Sequence, residues 1–377
     1  MSRPQRICFV SPNGYPVLAG ARDIRFVGGA EVQQALIASE LARRGHDVSM
    51  ISMDFGQAEG LHESGVQVLK MMRPRAGLPG LRFFHPLLTS LWKAMRRAEA
   101  DVYYQRCAGG LTGMVAALAS MLHKKAVFAG ASDSDFDPGL PRVGLLRDKL
   151  LFRYGMRRVS RVVVQSERQL AMCRRSFGRE AVRINSCYGH RGEPAEHEGP
   201  IIWVGAVRTV KRAALFLDVA RRLPQYRFVL VGGSPEGSGD FDALRREAQG
   251  IDNLTLTGHV PIAEVESYFD GASLLVNTSV TEGFPNTFLQ AWSRGMPTIS
   301  FFDSGAREDG VDVGVCVGDL DAMVNAIEGF KQTPRSWREH GSRAAKHFQG
   351  NFTIARSVDA YERVFSEAIA ASGESAR

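Results

Sequence analysis

The stretch PIIWVGAVRTVKRAALFLDVARRLPQYRFVLVGG, Pro200 to Gly233, decides the fold. It opens on a short apolar strand, PIIWVG, that closes on glycine. A polar loop follows, then a helix from Arg212 to Arg222, then a second apolar strand, YRFVLVGG (Tyr226–Gly233). The start of the chain repeats this plan. RICFVS (Arg6–Ser11) is a strand, and a long loop leads to a helix from Gly29 to about Arg44. That helix carries Val32, Leu36, Ile37 and Leu41 at helical spacing, and Gly45 ends it before the strand DVSMIS (Asp47–Ser52). Short apolar strands alternating with helices of this length predict parallel sheets with right-handed crossovers. The expected fold is therefore α/β, with two facing Rossmann-like, doubly wound domains whose ligands sit at the carboxyl ends of the strands.

The polar, aperiodic run NSCYGHRGEPAEHEG (Asn185–Gly199) marks the boundary between them. The reading gives a first domain over 1–190, a second over 191–352, and a last helix within 353–377. That helix, Ile354 to about Ala371, spaces Val358, Tyr361, Val364, Phe365 and Ile369 along one face and is expected to cross back onto the first domain. Further strands are predicted near Leu254–Thr257, Ser273–Asn277 and Pro297–Phe302.

The chain has 377 residues, 44% hydrophobic and 23% charged, which suits two or three soluble globular domains. No apolar run reaches the roughly 18 residues that a spanning helix needs. The start, MSRPQRICFVSP, moves straight into a strand without a signal-peptide pattern, and five scattered cysteines form no CxxC pair. A cytoplasmic location is expected. Net charge is +7 but unevenly spread: residues 1–200 hold 29 Lys and Arg against 18 Asp and Glu, and the remainder 18 against 22. The first half is thus expected to meet something anionic.

Two basic stretches with aromatics, PGLRFFHPLLTSLWKAMRR (Pro79–Arg97) and RVGLLRDKLLFRYGMRRVSR (Arg142–Arg161), suit an anionic membrane surface. In the first, Phe83, Phe84, Leu87, Leu88, Leu91 and Trp92 make an apolar strip; an ordinary core-packed helix gives the same pattern. No nucleic-acid-binding motif accompanies the basic half, so nucleic acid is not an expected partner. A dehydrogenase is not expected either, because no G-x-G-x-x-G follows the first strand.

Two segments carry chemistry. TEGFPNTFLQAWSRGMPTIS (Thr281–Ser300) places Glu282 before a helix of about Asn286–Arg294, with Pro285 suiting its start and Gly295 its end. An unpaired helix mouth favours phosphate. WVGAVRTVKR places Arg208 and Lys211 three apart at a strand's carboxyl end, where two cations clamp a diphosphate.

Together with the early GGAEVQ and GHDV, these segments resemble the retaining nucleotide-sugar glycosyltransferases of family 4, the group 1 family, over nearly the whole chain. The resemblance implies the GT-B fold and transfer of a sugar from a nucleotide-diphosphate sugar with retention, with no cofactor and no bound metal. It implies that Glu282 lies near the donor sugar and that Arg208 and Lys211 hold the diphosphate. Gly28 and Gly29 would let backbone approach phosphate or acceptor. Gly283, Phe284, Asn286 and Thr287 would meet the donor's hydroxyls and phosphate. Gln290 takes the place of a second acid that, in the family, binds the nucleotide ribose; here the sequence departs from the pattern. His259, in TGHVP, is a further donor-cleft candidate. Arg106 and the pair Asp133 and Asp135 are candidate acceptor or sugar contacts, with loop capping and a metal site as alternatives for the two acids. The implied acceptor is a glycan or lipid-linked saccharide at the inner face of the cell membrane, in polysaccharide or glycoconjugate biosynthesis. A catalytically silent relative and a nucleotide-sugar epimerase of the same architecture remain alternatives.

Overall fold

A computed structural model describes residues 4–20, 28–78, 80–189, 192–234, 239–280, 282 and 284–370. By internal contacts the chain divides into two units, with the changes between Cys187 and Tyr188 and between Thr353 and Ile354.

The first unit is built on an eight-stranded sheet. Its order is Gly60–Leu61, Gln67–Lys70, Asp47–Ser52, Arg6–Val10, Val102–Arg106, Lys125–Ala129, Arg161–Val164, Val182–Arg183. Every pairing is parallel except that of the first two strands. The central strand Arg6–Val10 is buried on both faces, which is why it reads as an unbroken apolar run rather than an alternation. Cys8 and Val10 face one core layer, with Leu91, Met95, Tyr103 and Phe152. Ile7 and Phe9 face the other, against the helix Gly29–Arg43 and the last helix, Ile354–Ala370.

That last helix sends Val358, Tyr361, Val364 and Phe365 into the first unit's core. Tyr361 meets Tyr104 edge-on, with the two hydroxyls 3.1 Å apart. Each such side chain contributes roughly 1.5–3 kcal/mol on burial, so the helix is held mainly by its apolar face.

The second unit holds a six-stranded, wholly parallel sheet. Its order is Leu254–Leu256, Phe228–Val231, Ile201–Val204, Leu274–Asn277, Thr298–Ser300, Val315–Cys316. Two glycines set the loops at its carboxyl edge. Gly232 has φ +133°, and a Cβ there would lie 1.9 Å from the Gly205 carbonyl oxygen. The loops after Ile201–Val204 and Phe228–Val231 therefore run backbone against backbone, joined by Gly205 N–H to Val231 O at 3.0 Å and Val207 N–H to Gly233 O at 2.9 Å.

The apolar strip read over 83–92 is mostly core. Leu91 is fully buried, and Phe83, Leu87, Leu88 and Trp92 pack partly buried against the same layer. The helix Thr89–Ala98 turns that face inward, leaving Phe84 as the member of the strip that stands exposed.

Candidate active site

In the second unit, the loops after two neighbouring strands are stitched together before any catalytic group is placed. The buried Trp203 donates its indole N–H to Thr278 Oγ1 at 2.9 Å, and Thr278 Oγ1 donates to the Lys211 carbonyl at 2.7 Å. Val280 N–H reaches Val210 O at 3.1 Å. Arg212, in the left-handed region at φ +47°, donates through Nε to Thr278 O at 2.8 Å, and its guanidinium lies 4.8 Å from the centre of the Phe301 ring. These bonds fix the loop that carries Arg208 and Lys211 against the loop that carries Glu282.

The result is an ion pair between Lys211 Nζ and Glu282 Oε1. The same oxygen accepts from Ser279 Oγ at 2.7 Å. Both side chains are largely shielded, 25% and 16% exposed. A pair at that depth feels an effective dielectric well below that of water, so either partner left alone there would be costly. Arg208 lies three residues before Lys211, exposed, and has no ion-pair partner among the described residues.

The other sequence candidates divide sharply. Asn286 and Thr287 open the helix Asn286–Trp292, both half-buried. That helix is seven residues long, shorter than the 286–294 expected, so charge on a phosphate would be met by the loop cations more than by a helix dipole. The Phe284 side chain points into the core, stacked 5.0 Å from Phe352 and edge-on to Trp292 at 5.7 Å, and so anchors the loop. Gly283 lies outside the described residues. His259 is exposed in the loop after Leu254–Leu256, and its backbone N would stand 3.0 Å from a Cβ at Gly233. Gln290 donates from Nε2 to Glu266 Oε1 at 2.7 Å.

Gly28, Gly29, Arg106, Asp133 and Asp135 belong to the first unit. Gly28 and Gly29 cap and open the helix Gly29–Arg43. Arg106 ends the strand Val102–Arg106, is 6% exposed, and leaves its Nε without a hydrogen-bond partner. Asp135 is a turn cap: its Oδ2 accepts from the backbone N–H groups of Ala131 at 2.7 Å and Ser132 at 3.2 Å. Burial raises its carboxyl above the usual range, and these donors only partly offset that. Loop capping, the alternative reading of this acid, is thus what its Oδ2 does in the structure. Asp133 is taken by Arg168 Nε at 3.1 Å and Gln169 Nε2 at 3.2 Å. Among the described residues, no three His, Cys, Asp or Glu side chains converge on a metal-sized site.

Sequence reasoning missed Ser279, Arg212, Glu266, Tyr188 and Arg294. Small hydroxyls closing a strand, as in NTS before Glu282, were the available signal for Ser279. For Glu266 there was none, since its partner lies 24 residues away.

Residues 198–331 match the family described as "Glycosyl transferases group 1", and residues 28–186 match "Glycosyl transferase 4-like domain". The chain belongs to the group 1 glycosyltransferases. Its GT-B fold is similar to that of sucrose-phosphate synthase from Thermosynechococcus elongatus, with TM-score 0.76 and 19% identity over 97% of this chain and 100% of that one. HepE of Anabaena, solved in complex with UDP, has TM-score 0.71 at 17% identity, covering 96% of this chain and 99% of that one. Among curated proteins, D-inositol 3-phosphate glycosyltransferase of Mycolicibacterium paratuberculosis is 29% identical over 181 residues, 45% of this chain and 40% of that protein. Trehalose synthase of Pyrococcus horikoshii is 25% identical over 168 residues, 42% of this chain and 40% of that protein. The matched segments thus span well under half of these two relatives. The Lys211–Glu282 pair of this group 1 chain falls inside the region matched by the group 1 domain.

Proposed function

We propose that the protein transfers a sugar, with retention and without a bound metal, from a nucleotide-diphosphate sugar to a glycan or lipid-linked saccharide acceptor. The observation that carries this reading is the Lys211–Glu282 pair, braced by Ser279 and flanked by Arg208 at the carboxyl edge of the second sheet. A donor diphosphate offers Lys211 a stronger anionic partner than one carboxylate. Lys211 and Arg208 would then stabilise the negative charge that grows on the leaving phosphate. Glu282, released from the lysine, complements the oxocarbenium-like sugar. Charge is met most fully in the transition state, which is what accelerates a reaction rather than merely tightening binding. Thermal-shift and turnover measurements with UDP, GDP and ADP sugars, run in EDTA, test this. An enzyme that binds one of them and transfers in chelator supports it; consumption of donor without any acceptor product points to the epimerase instead.

We further propose that the acceptor lies at an anionic membrane on the cytoplasmic side. No helix among the described residues is long and apolar enough to cross a bilayer. In the first unit, Leu78, Leu81 and Phe84 stand exposed, as do Leu145 at the mouth of the helix Leu146–Arg158 and Leu146, Leu150 and Tyr154 along it. The Arg147 guanidinium lies 4.0 Å over the Phe83 ring, which brings the two segments side by side. Apolar side chains ringed by arginine suit a headgroup layer that is negative outside and oily beneath. Two similar proteins are named for phosphate-bearing acceptors, inositol 3-phosphate and phosphatidylinositol. Vesicle flotation tests the surface: salt-sensitive binding to anionic liposomes that is lost in Leu146→Ser/Leu150→Ser supports it, and binding equal for neutral and anionic vesicles, or unchanged in that variant, counts against it.

A further inference from the structure

Gln290 stands eight residues after Glu282 on the helix Asn286–Trp292, half-buried between the buried Leu289 and Ala291. Its amide is not left to rotate. Nε2 donates to Glu266 Oε1 at 2.7 Å, and Oε1 of the amide has no partner among the described residues.

Glu266 is in turn held from behind. Its Oε2 accepts from Arg294 Nη2 at 3.1 Å and from the Tyr188 hydroxyl, whose pKa is raised by burial and by this same carboxylate. The Arg294 side chain has no exposure, and its Nε is fixed by Asp270 Oδ1 at 3.0 Å. Arg294 Nη1 closes the ring by donating to the Gln290 backbone carbonyl at 3.2 Å.

A carboxylate can only accept, so Glu266 can be met only by the NH2 end of the amide. That leaves the carbonyl end turned away from it. We propose that Glu266 is a positioning residue: it locks the Gln290 amide so that the carbonyl oxygen, and not the NH2, is offered to the ribose hydroxyls of the donor nucleotide. This rests on the reading of the second unit as the donor site. A ribose diol brings two O–H donors, and an amide flipped the wrong way would meet them with N–H. Glu266 removes that choice.

The same contact explains why an acid at position 290 is not equivalent. A carboxylate there would face Glu266 at hydrogen-bond distance, where two like charges cannot comfortably coexist. The pair works with one carboxylate and one amide, and the charge should be exchangeable between the two positions.

The test is calorimetric titration of the full chain with UDP, GDP and ADP, followed by the 2′,3′-dideoxy form of whichever binds. The wild type is expected to prefer the ribonucleotide by about tenfold, the worth of one or two neutral hydrogen bonds. Glu266→Gln should weaken ribonucleotide binding about three- to tenfold and shrink that preference by a similar factor. Gln290→Glu alone should weaken binding about tenfold or more, and Glu266→Gln/Gln290→Glu should return to within about threefold of wild type. The double variant still lacks the charge that Arg294 and Tyr188 see, so its rescue cannot come from restoring that framework. If Glu266 merely holds Arg294, then Glu266→Gln lowers the Tm, the dideoxy preference stays, and the exchange rescues nothing; that result overturns the proposal. A wild type that binds none of the three nucleotides overturns the donor-site reading, and this inference with it.

Discussion

Two carboxylates, Asp135 and Glu282, follow interior strands of the two sheets at their carboxyl edges, and they are used in opposite ways. Asp135 is bound by backbone N–H groups of its own turn. Those donors cannot leave without unmaking the turn. Glu282 is bound by Lys211 and Ser279, side chains on flanking segments that can exchange partners by rotating. A buried acid whose donors are backbone is a structural cap. One whose donors are mobile side chains is poised to change partners when a better anion arrives.

Glu282→Ala is expected to lower turnover about 10²–10³-fold, while the Kd for the nucleotide moves less than about tenfold. Near-normal turnover in that variant would falsify the role given to Glu282. Lys211→Met should weaken nucleotide binding by roughly ten- to a hundredfold, the range for a hydrogen bond to a charged group, and titration calorimetry reads this directly. Removal of Arg208, which is more exposed, should cost less.

Asp135→Ala is expected to do the reverse. Unfolding free energy should fall by about 1–3 kcal/mol as two backbone donors lose their acceptor, with nucleotide affinity unchanged. Asp135→Asn keeps an acceptor oxygen and should keep most of the stability. Urea titration of the two variants separates capping from charge; equal losses would mean that the negative charge itself matters.

The smallest effect concerns pH. Lys331 donates to the carbonyls of His197 and Gly199, and burial pushes its ammonium down to about 8. Between about 8 and the unfolded value of 10.5, the unfolded chain holds the proton that the folded chain has shed. Stability contributed at this site therefore rises with pH across that window. Lys331→Met should flatten that rise relative to wild type in denaturant titrations at pH 7.5 and 10; parallel curves would show that the lysine keeps its proton when folded.

Much of the architecture was legible because it is local. Strand, loop, helix and strand recur at both openings, and the observed Gly29–Arg43 and Asp47–Ser52 lie within a residue of the pattern. The partnership of Lys211 with Glu282 was legible only as a shared edge of one sheet. What could not be read was which polar group each side chain chose. Periodicity says that Gln290 lies on a helix face, but Glu266 reaches it from another helix. Spacing in Asp133-Ser134-Asp135 is the same for a cap and for a sugar contact, and only the path of the backbone decides. The aromatic strip over 83–92 was ambiguous for a related reason. A basic amphipathic helix has the same sequence whether its apolar face meets lipid or core, and here the core of the first unit takes it.

The closing helix, Ile354–Ala370, has a consequence for synthesis. The first unit's sheet is translated within the first 183 residues, yet Ile7, Phe9, Val102 and Tyr104 wait for Tyr361 and Phe365 to cover them. Residues Tyr188–Thr353, the bulk of the second unit, are all translated before that cover arrives. Completion of the first unit's core thus waits for the last helix to be made. The half that emerges first is the last to be sealed, and it spends the interval with an apolar face that a chaperone would recognise.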